Sequence, residues 1–250
     1  MTAQLRRPLS HLVGSALAVL ALGACGAPAA TGTPASPLTL LPSADAFHSA
    51  VVATRSMGTA RLTIEVTRPS AQGSPPSHAA GPTVLGPGWC DLRWQTPQGD
   101  FRELVNSRGI YVTRDDRQWT QFPVSPPTTT SGYANALRGL VVLNDITETD
   151  GESTGGVPAT TYRGWLPIDS AEAAQLGLTA SERQVIGPEG REQVTAWVDD
   201  YGHVVRVDRS VADASGASVV AATTSMDDFS LMLDLASPSQ NVVQGTTTAQ

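Results

Sequence analysis

The chain has 250 residues, 40% of them hydrophobic and 16% charged, with 16 arginines and no lysine against 23 acidic residues, for a net charge of −7. A net-acidic chain offers no basic stripe to neutralise phosphates, which argues against a nucleic-acid partner, and no polybasic footing on a membrane surface. Without lysine, P-loop and Schiff-base chemistry are excluded.

The first segment is built like an export signal. Arg6 and Arg7 precede an apolar run from Leu12 to Leu22, broken only by Gly14 and Ser15. A membrane span needs about 20 apolar residues, so this run suits a signal h-region instead. It ends in Leu22-Gly23-Ala24-Cys25, which resembles the lipobox of bacterial lipoproteins. The resemblance implies that residues 1–24 are a lipoprotein signal peptide. Cys25 would then carry lipid on its thiol and become the first residue of a protein held on the outer face of the cell membrane. An ordinary signal peptide with an incidental cysteine is the alternative reading. With Cys25 acylated, Cys90 is left without an intrachain disulfide partner, so the fold must stand on its hydrophobic core.

Residues 25–42 are rich in Ala, Pro, Thr and Gly and read as a flexible tether. Ser43 then offers an N-cap, and Ala46, Phe47, Ala50, Val51 and Thr54 form one stripe of a helix ending before Gly58. From Thr59 the period changes to two. Leu62, Ile64 and Val66 share one side of a strand whose other side is polar. Residues 69–82 read as a polar loop. Strands are predicted at Val84–Gln95, Asp100–Asn106, Gly109–Thr113 and Gln118–Phe122, separated by turn signals. Such short spacing favours an antiparallel meander over βαβ units, which need long crossovers.

A second helix is predicted over Tyr133–Val141. Strands follow at Asp145–Glu152 and Ala159–Leu166, and short helices at Ser170–Leu176 and Ala180–Val185. Glu192–Asp199 and Val204–Val211 read as a hairpin, and Ser218 to about Phe229 as the last strand. Residues 43–236 thus form one α+β domain, a large antiparallel sheet with helices on one side. Residues 237–250 read as a disordered polar tail.

This order of elements after a lipobox resembles the LppX/LprG-type mycobacterial lipoproteins, within the LolA/LolB-like fold. Three stretches carry the resemblance: Ser43–Met57 running into Ala60-Arg61-Leu62-Thr63-Ile64, Thr154–Tyr162, and Ala196–Val207. It implies a strongly curved antiparallel half-barrel with helices on its concave face. It also implies a cavity that holds the acyl chains of a lipid or lipoglycan, and an envelope transport partner. The residues that alternation turns inward are Leu62, Ile64, Val66, Ile110, Val112, Val205 and Val207, either as cavity lining or as ordinary core.

Gly151-Glu152-Ser153-Thr154-Gly155 satisfies G-x-S-x-G, and Asp169 or Asp199 followed by His203 supplies the chain order of an α/β-hydrolase. The expected context fails, because a strand rather than a helix follows Ser153. The histidines His11, His48, His78 and His203 have no metal-ligand spacing. The acidic pairs Asp115-Asp116, Asp199-Asp200 and Asp227-Asp228 read as solvated turns. No cofactor and no enzymatic activity are expected. Trp89, Trp94, Trp119, Trp165 and Trp197 fall in or beside predicted strands, where sheet packing is their common use.

Overall fold

The computed structural model describes residues 43–69, 75–122, 133–154, 156–169, 172–173, 176–239 and 241–245. Helix α1 (Ser43–Ser56) buries Phe47, Ala50, Val51 and Thr54, at i, i+3, i+4 and i+7 of a helical face. Asp45 in its first turn and Arg55 in its last complement the helix dipole. Gly58 ends the run with φ 78° and turns the chain into the first strand.

Among the described residues twelve strands follow: β1 (Thr59–Thr67), β2 (Ser77–Val84), β3 (Trp89–Gln95), β4 (Phe101–Asn106), β5 (Gly109–Thr113), β6 (Trp119–Phe122), β7 (Asn144–Thr154), β8 (Val157–Pro167), β9 (Arg191–Asp199), β10 (Val204–Ala212), β11 (Ser218–Asp227) and β12 (Val242–Gln244). They form one unclosed sheet in the order β12-β6-β5-β4-β3-β2-β1-β11-β10-β9-β8-β7. Every pairing is antiparallel except β12 with β6. Two meanders therefore meet at the centre, where β1 pairs with β11, Leu62 opposite Met226 and Ile64 opposite Thr224. The α+β, curved antiparallel half-barrel expected from the sequence is the architecture found.

Four stretches fold differently from their sequence expectation. Residues 77–84, inside the expected loop 69–82, form β2. Its ladder to β3 skips Gly81 and Pro82, pairing Ala80 with Arg93 and then Thr83 with Cys90. The proline, which lacks an N–H, sits in that gap. At Gly81 a Cβ would lie 2.0 Å from the Asp91 carbonyl oxygen, so the approach of β2 to β3 requires glycine. The single strand expected over Val84–Gln95 breaks at Gly86 and Gly88, whose φ values are 103° and 72°.

The helix expected over Tyr133–Val141 is instead a series of turns ending in a 3-10 segment, Leu140–Val142. Its backbone bonds run from Arg138 N–H to Asn135 O and from Leu140 N–H to Leu137 O. Gly139 adopts φ 69°, a left-handed conformation that ends α-helical continuation. Of the helix expected at Ser170–Leu176, residues 172 and 173 are helical, and 170, 171, 174 and 175 lie outside the described residues. Helix α2 (Ala180–Ile186) forms with a complete capping box, in which Thr179 and Glu182 each satisfy the other's backbone N–H. Val242–Gln244, within the stretch read as a tail, extends the sheet as β12. The expected signal peptide, Cys25 and the expected tether lie outside the described residues.

One hydrophobic core lies between α1, the turns from Tyr133 to Leu143 and one side of the sheet, here called the inner face. A smaller cluster of Leu104, Tyr111 and Trp119 occupies the opposite side of β4–β6. It is covered by the C-terminal strap, where Leu235 and Val242 pack against it. Asn106 Nδ2 donates to Leu235 O at 2.9 Å, fixing the strap in place.

Candidate functional site

The inner face is the surface on which the expected site residues fall. A single row crosses six strands, from Ala79 through Ile64, Thr224, Val207 and Ala196 to Tyr162. Leu62, Ile64 and Val207 are completely buried and Val66 nearly so. Each such side chain contributes about 1.5–3 kcal/mol through burial. From above, Phe47 of α1 meets Tyr162 at a ring separation of 5.0 Å. Thr54 Oγ1 accepts from the Val204 N–H at 2.8 Å, which pins α1 to the start of β10.

Val205 departs from its expected orientation. The β9–β10 register shifts between Val204 and Arg206, so Val204 and Val207 are buried while Val205 is only half-buried. A bulge adds one residue and reverses the phase on one side of it. Ile110 and Val112 are also half-buried. Ile110 packs against the edge of the core.

The roof over this face is attached by charge. Arg138, in the turns above the sheet, reaches both carboxylate oxygens of Glu192 on β9, at 3.1 and 3.3 Å. Arg209 on β10 pairs with Glu192 Oε2 at 3.1 Å. It also donates to the carbonyls of Ala136 at 3.2 Å and Arg138 at 2.5 Å. Glu172 is a further ion-pair partner of Arg138. Glu192 is completely buried and Arg209 is 4% exposed. Burial and the neighbouring Arg209 pull the Arg138 guanidinium down to about 10, so it stays charged near neutrality. A second tie joins Arg68 at the end of β1 to Glu182, at 2.8 Å, and to the carbonyls of Leu176 and Gly177. Tyr133 Oη donates to Leu176 O at 3.0 Å, and burial pushes its phenol up to about 12.

At the β3–β5 end the same face carries one more buried charge-bearing group. Glu103 lies opposite Leu92 on one side and Val112 on the other. Its Oε2 accepts from Trp94 Nε1 at 2.9 Å, and Trp94 stacks on Phe101 at 5.9 Å. Burial raises the Glu103 carboxyl above its ordinary value, with the Trp94 hydrogen bond opposing. Burial, followed by the charge of Glu103, raises the Cys90 thiol well above its ordinary value, so this cysteine is held as an unreactive thiol.

Arg138, Glu192, Arg209 and Glu103 were not among the residues picked out from the sequence. A signal for three of them was available. Arg209 shares its parity with Val207 and Val211, Glu192 with Val194 and Ala196, and Glu103 with Phe101 and Val105. A charged residue in phase with an apolar strand face marks either a bulge or a buried pair.

The tryptophans divide between the two faces. Trp94 belongs to the inner core. Trp119, Trp165 and Trp197 lie beneath the guanidinium groups of Arg102, Arg191 and Arg206, at 5.5, 4.1 and 4.7 Å, as cation–π pairs.

The serine of the G-x-S-x-G match lies within β7, paired with Pro158, and the chain then turns directly into β8. A nucleophile elbow needs a strand-to-helix turn, which this is not. Asp199 Oδ1 accepts from the N–H groups of Tyr201 and His203 and so serves the β9–β10 turn. Among the described residues, no three His, Cys, Asp or Glu side chains are grouped to hold a metal ion. Among the same residues, no helix is long and apolar enough to cross a membrane.

No family model matches the sequence, and no curated protein matches it. The fold does have solved counterparts. The chain is similar to the Mycobacterium tuberculosis lipoprotein LppX, with a TM-score of 0.54 at 12% identity over 78% of this chain and 98% of that one. It is similar to LprF from Mycobacterium bovis, with a TM-score of 0.52 at 14% identity over 78% of this chain and 96% of that one. At such identities the likeness is one of fold.

Proposed function

We propose that the chain is an exported, non-enzymatic lipoprotein, anchored through lipid on Cys25 to the outer face of the cell membrane, whose half-barrel binds or carries a lipid or lipoglycan. The observation that carries this reading is the continuous apolar inner face, running from Trp94 on β3 to Tyr162 on β8. It is roofed by α1 and by turns held through ion pairs rather than by a second sheet. Acyl methylenes transferred from water to such a surface gain about 0.8 kcal/mol each. The lipobox and the fold shared with a lipoprotein, LppX, point the same way. A roof attached through Arg138 and Arg209 has a defined seam along which it can part, and an envelope partner that loads or unloads cargo would act there.

Native mass spectrometry of the chain extracted from its own or a closely related host tests the carrier role. A mass excess that denaturation releases as a lipid supports it, and a clean apo mass across several extraction conditions sinks it. Anchoring is tested separately. Cys25→Ala should move the protein from the membrane to the soluble fraction, and unchanged partitioning refutes lipidation there.

A second reading is favoured by one observation. Leu62, Ile64, Leu137 and Leu140 have at most 1% exposure, so that part of the inner face is already filled by the chain itself. On this reading the fold is an envelope interaction or sensory module, which mild crosslinking would reveal as a stable protein partner without lipid.

A further inference from the structure

A cavity lies on the side of the sheet opposite the apolar inner face. Where the C-terminal strap crosses the outer side of β4–β6 it leaves an opening of about 530 Å³, within the range of about 300–1,000 Å³ usual for small-molecule sites. Leu104 on β4 and Trp119 on β6 line it from the sheet, Asp116 and Arg117 from the β5–β6 turn, and Pro238 and Asn241 from the strap.

The surroundings of this opening are tied together. Arg102 binds Asp91 at 2.6 and 2.7 Å and Asp116 Oδ1 at 3.0 Å, and its guanidinium lies 5.5 Å from the Trp119 ring. Asp116 and Asn241 both hold left-handed backbones, with φ 58° and 56°, uncommon for residues that carry a side chain. Arg93 and Arg102 grip the Asp116 carboxylate, and the Asn241 carbonyl accepts from the Trp119 backbone N–H at 2.9 Å.

Two donors on the cavity have no partner among the described residues. Trp119 is only 7% exposed, yet its indole N–H meets no acceptor and is not sealed off from solvent space. A buried donor normally has an acceptor. Arg117 forms neither an ion pair nor a side-chain hydrogen bond. Its neighbour Asp115 gives Oδ1 to the backbone N–H groups of Arg117 and Gln118, at 2.9 and 3.1 Å. A free guanidinium suits the two oxygens of an acid group. Asp116 limits the charge that can enter. The hydrogen bond from Arg102 holds its carboxyl below the ordinary value, so it is ionised near neutrality and repels a second negative charge on a ligand. Leu104 and Pro238 offer apolar surface beside these groups.

We infer that this cavity is a second binding site, independent of the lipid reading, and takes a small monocarboxylate with an apolar flank. The carboxylate pairs with Arg117 and accepts the Trp119 indole N–H, and the apolar body rests on Leu104 and Pro238 beneath the strap. The one uncommitted guanidinium balances the single charge of the ligand.

The experiment is an NMR titration of the isotope-labelled chain with three probes that share one ring: cyclohexanecarboxylate, cyclohexanecarboxamide and cyclohexyl phosphate. A phosphate monoester carries about 1.5–2 negative charges near neutrality. The readout is the indole N–H resonance of Trp119, identified by its disappearance in Trp119→Phe. Should that variant fail to fold, single replacement of the other tryptophans identifies the resonance by exclusion. The carboxylate should shift it with a Kd of about 1 mM or tighter, at least about fivefold tighter than the amide or the phosphate. Arg117→Gln, at an exposed position, should weaken the carboxylate at least about fivefold and leave the amide unchanged. Binding of the amide as tight as the carboxylate, tightest binding of the phosphate, absence of any carboxylate shift, or an unchanged carboxylate affinity in Arg117→Gln each overturns the site. None of these results bears on the carrier role, which the release of lipid from the native chain decides separately.

Discussion

Replacing Arg209 by methionine removes three hydrogen bonds at once: one to Glu192 and two to the carbonyls of Ala136 and Arg138. Methionine matches the aliphatic stem in size but supplies no donor. Breaking a buried pair by deleting one partner costs about 3–5 kcal/mol. Here Arg138 still contacts both oxygens of Glu192, so the ionic loss falls at the lower end. The two orphaned carbonyls restore the balance, since a buried acceptor without a partner costs about 1–3 kcal/mol. A destabilisation of at least about 5 kcal/mol is the expected sum, about 3 for the pair and at least about 1 for each carbonyl. For a domain of this size about 1 kcal/mol corresponds to 2–4 °C, so Tm should fall by at least about 10–20 °C. Equilibrium urea unfolding checks the magnitude, and hydrogen exchange checks the place. Amides of residues 133–143 should lose protection more than those of β1 and β11. A loss under about 1 kcal/mol, or a loss of protection spread evenly over the sheet, would refute the view that charge holds the roof down.

Glu103 has a folded-state pKa raised above its unfolded value. The folded state therefore holds a proton that the unfolded state releases, and stability falls as pH rises from the unfolded value, about 4.3, toward the raised one. Cys90, the titratable neighbour on that face, stays protonated throughout. In Glu103→Gln that segment of the pH dependence should vanish, read as the difference between parent and variant urea midpoints; an identical pH profile counts against the burial described. Ile64→Ala, at a fully buried position, should cost about 2–5 kcal/mol in urea unfolding, and a cost under 1 kcal/mol would mean that this part of the face is not packed. Gly81→Ala places a Cβ against the Asp91 carbonyl and should destabilise by about 1–3 kcal/mol, whereas a neutral result would show that β2 and β3 separate there freely.

Much of this architecture could be read from local patterns because local physics produces it. In β1, Leu62, Ile64 and Val66 alternate with Arg61, Thr63 and Glu65, and a strand half-buried on one side needs that alternation. The β9–β10 hairpin carries its own turn in Asp200-Tyr201-Gly202, and α2 its own cap in Thr179 and Glu182. The stripe of α1 followed from the 3.6 period. Strand β2 could not be recognised this way. Ala79, Gly81 and Thr83 are buried by β1 and β3 on either side and not by any apolarity of their own.

The amino-acid order alone determined the helix ahead of the strands, the antiparallel meanders and the apolar side of the central strand. Each depends on residues within a few positions of one another. Tertiary structure decided the rest. Tyr133–Leu143 became a roof of turns because Gly139 takes a left-handed conformation and Arg138 is drawn down to Glu192. Val205 left the inner face because a bulge against β9 shifts the phase of its strand. Arg138, Arg209 and Glu192 are tolerable inside only as partners, and a buried charge has no meaning in sequence until its counter-charge, 54 residues away for Arg138 and Glu192, is brought beside it.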